Sequence, residues 1–138
     1  MDGKTTLWDF LGPDPERENL IQRWAKKVKL SHRDRALLNS KLDFLERIGF
    51  ELAHGTKLLA GPVSKQGHIY KLVAHGDVML RPMLCKGPPE HRLDEVTLLE
   101  GAIEKDWKLH PPDVAERAAK NRLEIDRDGR RRGAHERF

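Results

Sequence analysis

Two apolar stripes at helical spacing stand almost back to back early in the chain, and they restrict its fold more than any other feature. Between Arg17 and Leu30 the residues Leu20, Ile21, Trp24 and Val28 recur on one helical face, while Arg23, Lys26, Lys27 and Lys29 lie elsewhere. Ser31 then suits an N-cap, with Asp34 three residues on, and Leu37, Leu38, Leu42, Leu45 and Ile48 form a second stripe that Gly49 can stop. Two helices joined so closely pack antiparallel, and their apolar faces need a third surface to cover them.

The chain offers a sheet for that surface. Two apolar runs, His68 to Ala74 and Val78 to Leu84, flank "HGD" and predict a β-hairpin. Strand side chains alternate, so Val78 and Leu80 share one face while Met79, Arg81 and Met83 share the other. Pro82 cannot donate to a ladder, so the second strand is bulged or unpaired there. Val96 to Ile103 predicts a third strand, and Pro111-Pro112 opens a last helix with a narrow stripe of Val114, Ala118 and Ala119. The expectation is an α+β fold: two N-terminal helices packed on a small, mainly antiparallel sheet, then a C-terminal helix and a basic tail. With 138 residues, one domain over 1–126 is expected, followed by a mobile tail over 127–138, where five arginines and little apolar content give no reason to fold alone. Trp24, Leu38, Leu42, Leu45, Leu72, Leu80 and Leu98 are the expected core.

Charge narrows the class of partner. A formal net charge of +4 and a pI near 9.3 favour a polyanion. Nine Lys and Arg against four acids between Arg17 and Arg47 give a local balance of +5, although such a run is ordinarily a solvated helix face. Cys85 is the single cysteine, so no internal disulfide forms and a reducing cytoplasm is the expected location. No apolar run approaches the roughly eighteen residues of a membrane span, and none resembles a signal peptide.

Several chemistries lack their residues. Seven histidines are scattered without an HxxxH pair, so no metal or other cofactor is expected. "GPVSKQG" lacks the Gly-Lys-Ser/Thr ending of a phosphate loop. Cys85 with His91 is a conceivable nucleophile and base, but a lone buried thiol is the commoner outcome. The basic residues are more informative. Glu104, Lys105, Asp106 and Lys108 cluster around Trp107 where the third strand ends. If Arg81, Lys105, Lys108 and His135 met on one sheet face, they would supply cations for a phosphodiester and a titratable group for proton transfer. Lys71, Arg130, Arg131 and Arg132 would extend such a surface toward RNA.

The segments "DFLERIGFELAHGTKLLAG", "GHIYKL…DVMLRPMLC" and "TLLEGAIEKDWKLHPPDVAERAAKNR" follow one another in an order that resembles the RelE superfamily of bacterial toxins, in its HigB-like, phage-derived branch. The resemblance implies a metal-independent endoribonuclease that cuts messenger RNA on the ribosome and is held inactive by a cognate antitoxin. It implies that Arg81 is the arginine of the second hairpin strand, Lys105 one of a lysine pair, Lys108 a following basic position, and His135 a C-terminal acid or base. The chain departs from the family where Lys71-Leu72-Val73 replaces a Glu-Leu-Arg sequence and where Glu104 replaces the first lysine. Two other readings stand beside this one: a non-catalytic RNA- or ribosome-binding protein of the same fold, and a phage accessory protein that binds an acidic partner.

Overall fold

The computed structural model describes residues 5–65, 67–88 and 94–138. The chain begins with a strand, β1 (Thr6–Phe10), which enters three helices, α1 (Leu20–Lys27), α2 (His32–Ile48) and α3 (Phe50–Gly55). Strands β2 (Leu59–Ala60), β3 (Tyr70–Leu72), β4 (Ala74–His75), β5 (Met79–Leu80), β6 (Met83–Lys86), β7 (Glu95–Glu100), β8 (Ile103–Lys105) and β9 (Lys108–His110) follow. Helix α4 (Val114–Arg127), a 3-10 turn and β10 (Arg132–Ala134) complete it. The class is therefore α+β, but the opening element is a strand rather than a helix.

Local chemistry explains the helix ends. Ser31 Oγ accepts from the Asp34 amide at 3.1 Å and starts α2, while Gly49, at φ +87°, ends it in a conformation a side chain would resist. Asn19 caps α1 in the same way through the Gln22 amide.

Strand alternation then divides the core. The larger sheet has the order β10-β1-β7-β6-β3-β2, antiparallel except where β1 runs parallel to β7. Leu7, Leu84, Val96 and Leu98 pack on one of its faces with Ile21, Trp24, Leu38, Leu42 and Leu45 from α1 and α2. Phe10, Met83, Cys85 and Leu99 pack on the other with Val114, Ala118 and Ile125 from α4. A sheet covered on both sides makes Val96 to Glu100 wholly buried, and all seven residues expected in the core are buried.

The expected hairpin is broken in the middle. β3 pairs with β6 in the large sheet, whereas β4 and β5 turn away into a smaller sheet of order β4-β5-β8-β9. The break falls at Arg81-Pro82, between β5 and β6, where proline interrupts the ladder.

Residues 127–138, expected as a mobile tail, finish α4 and lie along the edge of β1. β10 pairs antiparallel with β1, the His135 amide donates to the Leu7 carbonyl at 3.2 Å, and Phe138 and Asn39 exchange two hydrogen bonds on α2. The cause is β1, whose open edge gives the tail backbone a partner.

Candidate nucleic-acid interface

Arg81 lies at the strand break with only 5% of its surface exposed. Its Nε donates to Glu104 Oε1 at 3.0 Å, and its Nη1 donates to the Leu80 carbonyl at 2.9 Å. Lys71 Nζ reaches the same Glu104 oxygen at 3.2 Å. Burial alone would push the Glu104 carboxyl up, but hydrogen bonds from Lys71 and Arg81 outweigh it and leave the pKa below the usual carboxylate range. Arg81 therefore ties β5 to β8 and offers little to a phosphate. The substituted positions Lys71 and Glu104 neutralise each other.

Lys105 and Lys108 do not join them. Ile103 pairs with His110, Glu104 with Leu109 and Lys105 with Lys108, so Lys105, Lys108 and His110 share one face of the β8–β9 hairpin. Glu104, which meets Arg81, is on the opposite face. The convergence of Arg81 with Lys105 and Lys108 is thus excluded by the pleat.

His135 sits elsewhere again, just after β10 at the far edge of the large sheet. Its Nδ1 faces Asp9 Oδ1 at 2.8 Å, and the fully buried Asp9 also accepts from Asn19 Nδ2 at 2.8 Å and the Glu136 amide at 2.9 Å. This hub anchors the tail. The tail arginines are likewise engaged: Arg130 with Asp128 and Asp14, Arg131 with Glu124, and Arg132 with Glu95 while lying 4.2 Å over Trp8. Cys85 is wholly buried and burial pushes its thiol up to about 12, which suits a core side chain; His91 lies outside the described residues.

His110, on the same hairpin face as Lys105 and Lys108, also lines a cleft of about 300 Å³ between α1 and the start of α4. Arg23, Trp24, Lys27, Glu100, His110 and Arg117 line it. Among the described residues Lys27 and Lys108 have no ion pair or side-chain hydrogen bond, and the buried indole Nε1 of Trp24 lacks a partner. Glu100 is 6% exposed, and burial raises its pKa against the opposing pull of Arg117, whose Nη2 lies 3.4 Å away. A carboxyl with a raised pKa in one cleft with a histidine and three cations is suited to proton transfer on an anionic substrate. Sequence reading took Arg23 and Lys27 for a solvated face and did not single out Glu100, His110 or Arg117. The signal was weak, because these five residues come from four separate elements, α1, β7, β9 and α4.

Among the described residues no group of three or more His, Cys, Asp or Glu is placed to hold a metal ion, and no helix is long and apolar enough to cross a membrane. Comparison with protein-family models, with curated proteins and with solved structures finds no match.

Proposed function

We propose that the chain is a RelE-like toxin that engages messenger RNA on the ribosome, cleaves it without a metal and is restrained by a cognate antitoxin in the cytoplasm. One arrangement supports this reading above others. Lys105 and Lys108 share a hairpin face with His110, and His110 lines the cleft with Arg23, Lys27 and Arg117, so both the face and the cleft offer an RNA backbone cations.

The chemistry is assigned to the cleft. Glu100 and His110 are the groups for proton transfer: one takes the 2′-hydroxyl proton as that oxygen attacks phosphorus, and the other returns a proton to the departing 5′-oxygen. Arg117 and Lys27 are the cations for the charge that builds on the phosphate oxygens. Arg81 acts as a structural tie in this scheme.

The arrangement around Arg81 favours a second reading, a non-catalytic RNA- or ribosome-binding protein. There the Arg81–Glu104 pair reflects a site given over to structure. Brief induction in cells followed by primer-extension mapping of messenger RNA ends separates the two. New internal ends that vanish with Glu100→Gln and His110→Ala support the ribonuclease. RNA binding that weakens with salt, without new ends, supports the second reading. Absence of both leaves an acidic protein as the partner of the basic face.

A further inference from the structure

Trp107 is 96% exposed, far more than any other large apolar side chain among the described residues. It occupies the tip of the β8–β9 hairpin, where Asp106 at φ +54° and Trp107 at φ +65° are the two central residues of a tight turn. Both angles lie in the left-handed region that such turns require and that asparagine and glycine fill best. A bulky aromatic there carries backbone strain and leaves a large apolar surface in water, and among the described residues it gains no ring partner in return. Neither cost serves the fold.

The flanking residues indicate what would. Lys105 and Lys108 face each other across the strands on one side of the hairpin, both exposed and, among the described residues, without an ion pair or side-chain hydrogen bond. A projecting aromatic with two free ammonium groups beside it matches the face of an unpaired base and the phosphates next to it. A protein partner fits less well, since a binding hot spot needs surrounding contacts that exclude water, and here the chain neighbours are the charged Lys105, Asp106 and Lys108.

Resting on the RNA reading above, we infer that Trp107 is a stacking platform for an unpaired base of single-stranded RNA, with Lys105 and Lys108 holding the adjoining phosphates. The hairpin tip thereby selects unpaired RNA over duplex, whose bases already stack on one another. The contact lies on the hairpin face that also carries His110 and needs no catalytic step.

The test uses the full chain with two probes, a twelve-nucleotide oligouridine and a twelve-base-pair RNA duplex. Trp8 is half-buried and Trp24 buried, so Trp107 supplies the water-exposed indole emission among the three tryptophans. Oligouridine should quench that emission, and the duplex should not. Trp107→Ala should weaken oligouridine binding about tenfold, Trp107→Phe should restore most of it, and the salt slope should stay that of the parent protein. Trp107→Ala binding as tightly as the parent overturns the stacking contact and leaves the RNA reading intact. No binding of either probe by the parent overturns the RNA reading and the stacking contact together. Binding to polyglutamate that depends on Trp107, with none to oligouridine, transfers the tip to an acidic protein and likewise overturns the inference.

Discussion

Gly101 lies flat against the indole of Trp24, so closely that a Cβ on it would stand 2.0 Å from the ring carbon Cδ2. Trp24 is itself 6% exposed and packs into the core, so it can retreat only toward the cleft that it lines. Gly101→Ala should therefore lower unfolding stability by about 1–3 kcal/mol through overpacking. Urea titration followed by tryptophan emission measures it. A midpoint equal to the parent's would mean that Trp24 moves freely and that the cleft wall is soft.

Arg81 makes the opposite case from an exposed cation. Removing its guanidinium leaves Glu104 with Lys71 alone and frees carbonyls that it now satisfies, so Arg81→Ala should cost about 3 kcal/mol. Lys108→Ala should cost less than about 1 kcal/mol, because Lys108 is exposed and unpaired. It should instead flatten the salt dependence of oligouridine binding by about 0.7 in the logarithmic slope, one phosphate contact's worth. If Arg81→Ala proves as mild as Lys108→Ala in thermal unfolding, the buried tie is wrong.

The two perturbed glutamates give stability opposite pH dependences. Glu104 has a folded pKa below its ordinary 4.5, so its contribution is complete above that value and disappears as pH falls through the lower folded value. Glu100 has a folded pKa above 4.5, so its contribution is complete below 4.5 and is lost as pH rises through the folded value. Glu100→Gln should accordingly melt at least as high as the parent at pH 7, with that difference narrowing below pH 4.5. A lower melting temperature for Glu100→Gln at pH 7 would show that the pairing with Arg117 dominates burial.

The strained hairpin tip predicts an exchange of stability against binding. Replacing Asp106-Trp107 by Asn-Gly supplies the residues that tolerate two positive φ angles, and should raise stability by about 1 kcal/mol while weakening oligouridine binding. Equilibrium unfolding and fluorescence titration on one preparation read both. A destabilised Asn-Gly variant would mean that the tip adopts another turn.

The end of the chain should be protected from exchange. The His135 and Glu136 amides donate to Leu7 and Asp9, and the Phe138 amide to Asn39. These three should exchange more slowly than the exposed amides of the turn at Asp106 and Trp107 in native-state hydrogen exchange. Equal rates would return residues 127–138 to a mobile tail. Asp9→Ala should abolish the protection at Glu136 first, since it removes the acceptor itself.

By itself the sequence determined what a helical period, a cap or a turn can encode over a few residues. Leu38, Leu42 and Leu45 define the buried side of α2 wherever that helix packs, and Ser31 starts it through a bond to an amide three residues away. Tertiary structure decided everything that depends on a partner distant in sequence. "TLWDF" has no clear period because β1 lies inside a sheet, and the tail "RGA" becomes a strand only because β1 leaves an edge open. Arg81 and Lys105 looked like members of one phosphate site because both are basic. Pairing between β5, β8 and β9 puts Glu104 on the side of Arg81 and turns Lys105 to the other side, next to Lys108 and His110. A one-residue change of register would invert that choice: the two-residue turn at Asp106 and Trp107 sets the pairing of β8 with β9, but the pairing of β8 with β5, which brings Glu104 to Arg81, joins segments distant in sequence.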